Sequence, residues 1–395
     1  MRRLKYISWS DNTGYAVAAK SYIRALKEAG VDLTWTPMVP GPHGYVEEPA
    51  MDGLAPRTSD ASGTADYDTV LIHTVPEYFP DWIARERAPG RRIFGYTVWE
   101  LERLPSHWPD ILNQLDGVMV PCRWNEKVFR NSGVKVPIHV VPHLSQFEGL
   151  PPCSEADRRT VSDRIGRVLR TGPDGTGRFV FYTIGFWSNR KAPYLALEAY
   201  WRAFDADDPV VMVVKTSDKD ITRWIRHWRS CFRRRHPSPI RSARLLSRRH
   251  PRPAPCVIIA DETLGDGEMQ ALHEIGDCFV SLARAEGWGL GAFEATKLGK
   301  PVVMTGYGGQ CDFLDKETAW LVDFHMVPVH EPTWSASYKP SDQWAEPSVA
   351  QAAAHLRAIY DDRTAATTRA RQLAATVERQ FSKESVVRSM ISALQ

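Results

Sequence analysis

The chain has 395 residues, of which 43% are hydrophobic and 25% are charged, a composition that excludes disordered, collagen-like and multi-pass membrane proteins. Its length predicts two domains of roughly 150 to 200 residues each. The net charge of +3 conceals an uneven distribution, because residues 221–260 contain eleven arginines and no lysine, aspartate or glutamate. Without those eleven charges the rest of the chain carries −8, so the protein is mildly acidic with one cationic segment.

Short apolar runs rich in valine, isoleucine and aromatic residues alternate with helical patterns, which predicts βαβ units on parallel sheets. We predict strands in the first half near 4–9, 32–36, 69–73, 92–97, 117–120 and 138–141. In the second half we predict strands near 179–184, 210–215, 256–260, 278–282, 301–304 and 319–322. The turn-forming run 172–177 predicts the joint between two domains, and helical patterns over 348–378 and 383–394 close the chain.

Cysteine spacing and hydropathy indicate the compartment. The six cysteines form no CxxC pair, which argues against a disulfide framework and a zinc ribbon. No stretch has the length of apolar sequence that a membrane span needs, and the first residues do not form a signal peptide. We therefore expect a cytoplasmic protein whose membrane contact, if any, is peripheral at the inner face.

The carboxyl ends of parallel strands provide a test for candidate site residues, because ligands of open α/β sheets bind beyond those ends. Two sequences of the DxD type, at 66–68 and 205–207, directly precede predicted strands. They would therefore lie at the opposite edge of the sheet, and we interpret them as solvated turn carboxylates. No metal cofactor is expected.

The pattern of segment 277–305 predicts a strand, a loop, a helix and a second strand. Glycines in its loop let the backbone approach a ligand, and their amides with the following helix N-terminus predict a phosphate or hydroxyl cradle. Glu286 and Glu294 bracket this cradle and are expected to accept hydrogen bonds from sugar or ribose hydroxyls. Alternatively, Glu294 stabilises its own helix dipole. The cradle consists of Gly287, Trp288, Gly289, Leu290 and Gly291.

Two adjacent cations, Arg190 and Lys191, follow the predicted strand 179–184 and its terminal Gly185. At a carboxyl strand end they suit an anionic leaving group, since arginine offers a bidentate fork and lysine a point charge. Ordinary solvated side chains are the alternative. Lys215 and His73 end other strands in the same way, and a structural histidine is equally consistent with His73.

These motifs resemble family 4 glycosyltransferases (glycosyl transferases group 1) of the retaining GT-B type, and the resemblance covers most of the chain. The strongest match is the pair of glutamates, Glu286 and Glu294, separated by seven residues inside a βαβ unit. Trp99-Glu100 stands where many relatives carry a histidine, so the chain resembles a Trp-Glu subgroup. The other matching segments are Gly14 with Tyr15, 96–108, 118–125, 140–143, 190–191 and 214–217.

The resemblance implies two Rossmann-like doubly wound domains facing across a cleft. An acceptor-side domain would occupy 1–172, and a nucleotide-sugar domain 178–365 would contain a basic insertion at 221–255. Residues 366–395 would return to the first domain.

The resemblance also implies roles for individual residues. Arg190 and Lys191 would bind the diphosphate, Glu294 the ribose, and Glu286 with the amides of 287–289 the transferred sugar. Gly14, Gly185, Lys215 and the remaining cradle residues would complete the donor site. Glu100 would orient the acceptor or take part in the chemistry, and His73 and Trp99 would contact acceptor or sugar.

The implied activity is metal-independent, retaining transfer of a hexose such as mannose or glucose from a nucleoside-diphosphate sugar. The acceptor would be a saccharide or a polyprenyl-linked saccharide, in assembly of a bacterial surface polysaccharide or glycoconjugate. The nucleotide sugar is a co-substrate, and no cofactor is expected. The alternatives are a GT-B sugar-nucleotide epimerase or hydrolase, and a catalytically silent carbohydrate-binding relative.

Within the arginine-rich segment, apolar residues recur at helical spacing with arginines between them. This pattern predicts a basic amphipathic stretch suited to an anionic membrane surface. A solvated or partly disordered insertion is the alternative. Nucleic acid is not expected, because the segment has no recognised nucleic-acid fold. The apolar residues are Ile221, Trp224, Ile225, Trp228 and Phe232.

Overall fold

The structure is a computed structural model that describes residues 3–41, 44–47, 67–169, 177–223, 225–227, 230–260, 264–331 and 338–395. It divides into two compact units. Unit 1 comprises Met1–Leu150 and Arg379–Gln395, and unit 2 comprises Pro151–Glu378. The division thus follows Leu150, whereas nearly all of the predicted joint at 172–177 lies outside the described residues.

Unit 1 contains a seven-stranded sheet in the order β3-β2-β1-β4-β5-β6-β7. All neighbouring strands are parallel except β3, which pairs antiparallel with β2 at one edge. The strands are β1 (Leu4–Trp9), β2 (Leu33–Gly41), β3 (Gly44–Glu47), β4 (Thr69–His73), β5 (Arg92–Tyr96), β6 (Gly117–Val120) and β7 (Ile138–Val140).

Unit 2 contains a parallel six-stranded sheet in the order β12-β9-β8-β13-β14-β15 and two separate antiparallel hairpins. The sheet strands are β8 (Phe179–Ile184), β9 (Val210–Lys215), β12 (Cys256–Ile259), β13 (Cys278–Ser281), β14 (Val302–Thr305) and β15 (Trp320–Val322). The hairpin strands are β10 (Ile225–His227) with β11 (Ser230–Arg235), and β16 (Phe324–Pro328) with β17 (Gln343–Pro347).

Helices connect the strands, as the sequence pattern predicts for βαβ units. Those of unit 1 are α1 (Gly14–Glu28), α2 (Phe79–Glu86), α3 (Trp108–Leu112) and α4 (Arg123–Asn131). Those of unit 2 are α5 (Glu155–Ile165), α6 (Pro193–Ala203), α7 (Pro239–Ser247), α8 (Asp266–Ile275), α9 (Leu290–Lys297), α10 (Val349–Asp361) and α11 (Arg363–Gln380), the last of which ends just inside unit 1. The final helix, α12 (Lys383–Ala393), belongs to unit 1.

Strand order locates a ligand-binding crevice in each sheet. In unit 2 the chain runs outward from β8 through β9 to β12, then returns to the other side of β8 with β13, β14 and β15. This is the doubly wound order, and its reversal lies between β8 and β13. In unit 1 the corresponding reversal lies between β1 and β4. Loops after these four strands are therefore the expected ligand-binding positions.

The helical interpretation of the arginine-rich segment is wrong for residues 225–235, where the structure has the hairpin β10–β11. Trp224 and Trp228 lie outside the described residues. A short amphipathic pattern does not fix a helix by itself, because packing of the apolar face supplies most of its stability. The helix of this segment begins only at Pro239, where the Ser238 side chain accepts a hydrogen bond from the Arg241 amide.

Two further differences concern the end of unit 2. The sequence pattern does not reveal the hairpin β16–β17, whose second strand precedes α10 directly. The helical pattern over 348–378 is also divided in two at Asp362, whose backbone leaves the helical region at φ −128° and ψ 74°. The Asp362 carboxylate accepts a hydrogen bond from the Ala365 amide at 2.9 Å and so caps the next helix.

Each unit has its own hydrophobic core. In unit 2, buried residues of β8, β9, β13 and β14 pack against α6 and α10. In unit 1, residues of β1 and α1 pack against Val386, Val387 and Met390 of α12. Among the described residues, no helix has the length and apolar character needed to cross a membrane.

Candidate functional site

The loops after β8 and β13 bring a cluster of charged side chains together in unit 2. Lys191 Nζ lies 2.5 Å from Glu286 Oε1, and Arg190 Nη1 lies 3.5 Å from Glu286 Oε2. Arg190 also donates to the Ala285 carbonyl at 2.8 Å. The Lys191 side chain is 25% exposed, against 11% for Arg190 and 8% for Glu286. The cluster holds two positive charges against one negative, and Lys191 is its most accessible member.

A glycine behind Glu286 allows the two loops to pack closely. The Glu286 carbonyl accepts a hydrogen bond from the Gly309 amide at 2.8 Å. A Cβ atom at Gly308 would lie 2.5 Å from that carbonyl oxygen, closer than any real contact, and Gly308 has φ +106°. The turn after β14 therefore requires glycine at this position, and it supports the backbone that carries Glu286.

Arg284 joins three segments around the cluster. Its guanidinium forms a two-pronged ion pair with Glu346 of β17, with Nη2 3.0 Å from Oε1. Its Nη1 atom donates to the Asn189 carbonyl and to the Tyr194 hydroxyl, each at 2.6 Å. Its amide donates to the Arg190 carbonyl at 2.7 Å. The side chain is only 11% exposed, so the hydrogen bonds of its guanidinium are desolvated and charge-assisted.

The chain following β16 also holds the loop that carries the two cations. The Glu331 carboxylate accepts a hydrogen bond from the Arg190 amide at 3.2 Å. The Asn189 side-chain amide donates to the His330 carbonyl at 2.9 Å. Together with Glu346, these contacts connect the 324–347 region to the loop 186–192 from a second side.

The cradle predicted after β13 leads into α9, whose first residue is Leu290. Gly289 adopts a left-handed conformation at φ +91° and caps the helix. A Cβ atom at Gly291 would lie 2.9 Å from the Phe279 ring, so α9 packs too closely on the sheet for a larger residue there. The first amides of a helix have no intrahelical acceptor, so this end of α9 can receive an anion or hydroxyl oxygen.

Glu294 and Trp288 are both buried beside this cradle. Glu294 is 1% exposed on α9, and its charge contributes, after burial and Cys278, to a raised pKa of the Tyr182 hydroxyl. Trp288 is 2% exposed, and its ring packs against Phe293 at 5.2 Å. The predicted contact of Glu294 with ribose therefore stays a prediction, and Trp288 has the packing of a core residue.

Gly185 and Lys215 lie side by side at the carboxyl ends of β8 and β9. The Gly185 amide donates to the Lys215 carbonyl at 3.0 Å. Lys215 Nζ donates to the Thr216 carbonyl at 3.3 Å, and burial, with a smaller contribution from Arg164, lowers the pKa of its ammonium group. Gly185 also lies against the aliphatic part of Lys191, since a Cβ atom there would be 3.6 Å from Lys191 Cδ. Both predicted residues are thus placed at the same sheet edge as the charged cluster.

No group of three or more histidine, cysteine, aspartate or glutamate residues is suitably placed for a metal ion within the described ranges. Of the two DxD sequences, Asp66 lies outside the described residues. Asp207 of the second forms an ion pair with Arg252 in the turn before β9. The expectation that no metal takes part stays a prediction.

In unit 1, the start of α1 fixes the loop that carries Trp99 and Glu100. Gly14 is the first residue of α1. The neighbouring Tyr15 hydroxyl donates to the Val98 carbonyl at 3.0 Å and accepts from the Val98 amide at 3.1 Å. Burial, with a smaller contribution from the Glu100 charge, raises the pKa of Tyr15. Gly14 and Glu100 therefore belong to one neighbourhood at the carboxyl edge of this sheet.

His73 is fully buried at the end of β4. Its Nδ1 atom is 2.7 Å from the Tyr6 hydroxyl, and its Nε2 atom has no hydrogen-bond partner in the described part of the chain. The Tyr96 ring packs on it at 4.3 Å. Burial, with a smaller contribution from the neighbouring His143, holds the pKa of His73 well below its ordinary value, so the ring is neutral. Its contact with a substrate stays a prediction that this burial does not support.

Trp99 is 3% exposed. Its amide donates to Asn125 Oδ1 at 3.0 Å, its indole donates to the Arg103 carbonyl at 2.6 Å, and its ring meets Trp108 edge-on at 4.8 Å. The side chain therefore stabilises the loop between β5 and α3. The predicted contact with a sugar stays untested, and this packing gives it no support.

Sequence reasoning missed three residues that support the charged cluster, namely Arg284, Glu331 and Glu346. A signal existed for Arg284, because a cation two residues before Glu286 lies at the same carboxyl strand end. Glu331 and Glu346 have no such signal. They are 45 and 60 residues from Glu286, in a region without an alternating or motif-like pattern.

Comparisons with known proteins agree with the sequence-based resemblance. Residues 266–390 match the family model described as "Family 4 Glycosyltransferase in conflict systems", a segment that contains β13, the cradle and α9. This confirms the predicted resemblance to family 4 glycosyltransferases over that segment. No curated protein is a significant match to the sequence.

Solved structures resemble the chain along its whole length. Anabaena HepE in complex with UDP and glucose is 13% identical, has a TM-score of 0.64, and matches over 100% of this chain and 99% of its own. Sucrose-phosphate synthase from Thermosynechococcus elongatus is 13% identical, with a TM-score of 0.67 over 99% and 98%. A glycosyltransferase from Rickettsia africae is 11% identical, with a TM-score of 0.67 over 99% and 97%. These likenesses confirm the predicted GT-B fold class.

Proposed function

We propose that the protein is a glycosyltransferase that moves a hexose from a nucleoside-diphosphate sugar with retention of anomeric configuration. The observation that carries this proposal is the cluster of Arg190, Lys191 and Glu286 at the strand-order reversal of unit 2. It combines two cations for a diphosphate with a carboxylate for sugar hydroxyls. The matching family model covers the loop that carries Glu286 and supports the assignment.

We propose UDP-glucose as the first donor to test. HepE, whose fold this chain shares, is described in complexes with UDP, with UDP and glucose, and with UDP-glucose. In this chain the diphosphate would meet Lys191 and Arg190 together with the first amides of α9. Glu286 would accept hydrogen bonds from sugar hydroxyls, and Glu294 from the ribose. Lys215 would lie at the edge of the same site.

Donor binding requires the charged cluster to rearrange. Lys191 is held by Glu286 at 2.5 Å, so its ammonium group must exchange a carboxylate for a phosphate oxygen. The exchange frees one Glu286 oxygen for the sugar. Because Lys191 has a flexible stem and is the most exposed member, it can turn while Arg190 stays fixed to the Ala285 carbonyl. The cluster thus keeps its charges paired until a donor arrives.

The chemical step places opposite charges on the two halves of the donor. Breaking the anomeric C–O bond leaves negative charge on the diphosphate and positive character on the sugar ring. Preorganised cations and amides stabilise the first charge, a task for Arg190, Lys191 and the N-terminus of α9. We propose attack from the same face, in which the departing phosphate oxygen accepts the proton of the acceptor hydroxyl. Glu286 would orient the sugar.

The acceptor is proposed to be a saccharide or a lipid-linked saccharide of bacterial surface polysaccharide or glycoconjugate synthesis. Glu100 is the proposed acceptor-orienting carboxylate, because it lies on the loop after β5, the strand next to β4 at the carboxyl edge of the unit 1 sheet. A lipid-linked acceptor would bring the enzyme to an anionic membrane surface at the inner face. The arginine-rich segment supplies positive charge, which attracts such a surface.

The test is a panel of UDP, GDP and ADP sugars, assayed for binding and slow hydrolysis with a chelator present. One donor should bind and release its nucleoside diphosphate without added metal. Arg190→Ala should mainly lower turnover, and Glu294→Ala should mainly weaken donor binding. Retention would be read from the anomeric configuration of the product by NMR. Dependence on Mg²⁺ or Mn²⁺, or unchanged kinetics in both variants, would contradict the proposal.

A further inference from the structure

Helix α7 presents an unusual combination of side chains to solvent. Its buried residues are the small Pro239, Ser242 and Ala243. The exposed side consists of two adjacent rows at four-residue spacing that continue into the turn after the helix. We call these six residues the α7 surface: Ile240, Arg241, Arg244, Leu245, Arg248 and Arg249.

The two aliphatic residues of the α7 surface are exposed to a degree that few large apolar residues reach in the described part of the chain. Ile240 is 39% exposed and Leu245 is 40% exposed, each flanked by arginines. Water hydrates such side chains poorly, so their exposure leaves apolar area available for a partner. Helices that bind in the plane of a membrane interface share this pattern of aliphatic and cationic side chains.

The arginines of the α7 surface also keep their charge available. No carboxylate in the described ranges forms an ion pair with Arg241, Arg244, Arg248 or Arg249. By contrast, Arg252 is paired with Asp207 nearby. Because residues 221–260 contain no aspartate or glutamate, the four charges add to one another and attract an anionic surface.

A cavity of about 220 Å³ adjoins the α7 surface, between α6 and α7. Its lining includes Arg202, Arg249 and His250, and the indole of Trp201 packs at a tilt against the His250 ring, with 5.5 Å between the ring centres. The one carboxylate in the lining, Glu198, is paired with Arg202 at 2.7 Å. Arg249 belongs to both the cavity and the α7 surface, so the cavity can receive a phosphate group that enters from that surface.

We propose that the α7 surface and this cavity form a docking site for a membrane that contains anionic phospholipid. Ile240 and Leu245 would enter the boundary between headgroups and acyl chains, and the arginines would contact lipid phosphates. Aliphatic side chains at the centre of the charged face favour a membrane over a nucleic acid, whose phosphates offer them no apolar partner. The docking site depends on the proposed function only for its biological purpose, because membrane binding itself requires no sugar transfer.

The experiment is co-sedimentation of the full chain with vesicles of phosphatidylcholine, alone or mixed with phosphatidylglycerol. The protein should pellet with the mixed vesicles only, and less at high salt. The triple variant Arg241→Gln/Arg244→Gln/Arg248→Gln should bind about a hundredfold more weakly, since each charge near the surface contributes roughly a fivefold gain. Ile240→Ser/Leu245→Ser should weaken binding while leaving its salt dependence in place.

A charge-matched control separates this site from net charge alone. Arg159→Gln/Arg371→Gln/Arg388→Gln removes three exposed arginines from α5, α11 and α12, and it should pellet like the wild type. Thermal unfolding of each variant shows that the fold is intact. Donor hydrolysis without vesicles should be unchanged in the α7 variants, because no catalytic or donor-binding residue is altered.

Equal pelleting of the wild type with both kinds of vesicle, or equal weakening by the two triple variants, would overturn the proposal. Binding of duplex DNA or RNA in place of vesicles at physiological salt would overturn it in favour of nucleic acid. Intact vesicle binding by a chain that turns over no nucleotide sugar would refute the proposed function and leave the docking site standing.

Discussion

Lys191 and Glu286 are 95 positions apart in the sequence, yet their charged atoms lie 2.5 Å apart. Each could be predicted as a site residue from its position just after a strand. Their pairing could not, because it depends on the neighbouring positions of β8 and β13 in the sheet. The pairing of Arg284 with Glu346 could not be predicted either, because Glu346 lies in a hairpin that the sequence pattern does not reveal.

The contacts of Arg284 predict that it positions the cation-bearing loop. Arg284→Lys removes the two-pronged pair with Glu346, and each lost charge-assisted hydrogen bond is worth about 1.5 to 3 kcal/mol. We expect turnover of the donor to fall by roughly ten- to a hundredfold, with a smaller change in donor affinity. Steady-state kinetics of Arg284→Lys, Glu346→Gln and the double variant measure the coupling of the pair.

The ion pair of Arg357 with Asp208, at 2.9 Å in the same unit, provides the control for Arg284. Asp208 precedes β9 and therefore lies at the sheet edge away from the charged cluster. Arg357→Gln should lower the melting temperature modestly and leave turnover unchanged. If Arg284→Lys, like Arg357→Gln, lowers stability and leaves turnover unchanged, Arg284 has a structural role only.

Buried histidines predict how stability depends on pH. Burial lowers the pKa of His143 to about 3 and, with a smaller contribution from Lys300, the pKa of His273 to about 3. Both would bind a proton near pH 6.5 in the unfolded chain, so acid favours unfolding. We expect each to lower the free energy of unfolding by about 1.4 kcal/mol per pH unit below about pH 6.5.

Urea denaturation at a series of pH values measures this dependence. His143→Gln should reduce the change in the free energy of unfolding per pH unit for unit 1. His273→Gln should have the same effect on unit 2. A stability that does not change between neutral and mildly acidic pH would contradict the assigned protonation states.

At the scale of elements, the turn after β14 connects local conformation to the site. Gly308→Ala places a methyl group against the Glu286 carbonyl and strains a backbone at φ +106°, at a cost of about 1 to 3 kcal/mol. We expect Glu286 to be displaced and donor turnover to fall at least about tenfold, as misplacement of a site carboxylate by an ångström would do.

Gly166 is a matched control for this substitution. It has φ +75° in the same unit, and a Cβ atom there would meet nothing within 4 Å. Gly166→Ala should therefore show the backbone strain without the clash, with a lower melting temperature and normal turnover. Equal turnover in the two variants would show that the Gly308 turn does not position Glu286.

At the scale of the whole molecule, the two units have separate cores, and α12 completes the first although it follows the second in the chain. Met390→Ala removes a fully buried side chain from unit 1, and Leu356→Ala does the same in unit 2. Each should destabilise its own unit by about 2 to 5 kcal/mol. Hydrogen exchange followed by mass spectrometry should show faster exchange in residues 1–150 for the first variant and in 151–378 for the second.

The separation of the cores is testable with the same two variants. Exchange that accelerates equally in both units for either substitution would show that the chain unfolds as one cooperative unit. The division after Leu150 would then separate two sets of contacts, but the two units would not unfold independently.

The sequence by itself determined the parallel strands of both sheets, though not the antiparallel edge strand β3, and the positions of most candidate residues at their carboxyl ends, because hydrophobic periodicity and parallel connection are local properties. It also determined the resemblance to family 4 glycosyltransferases, which the family model bears out over residues 266–390. Helical spacing was misleading in 225–235, where backbone pairing in a hairpin replaced the expected helix.

Only the tertiary structure decided which charges meet and which stay available. Glu286, Arg284 and Glu346 find their partners through strand order and a hairpin, which no local pattern encodes. The eleven arginines of 221–260 were visible in the composition, but their arrangement was not. Helix α7 and the turn after it place four of them with Ile240 and Leu245 on one exposed side, because the small residues of that helix are the ones that pack.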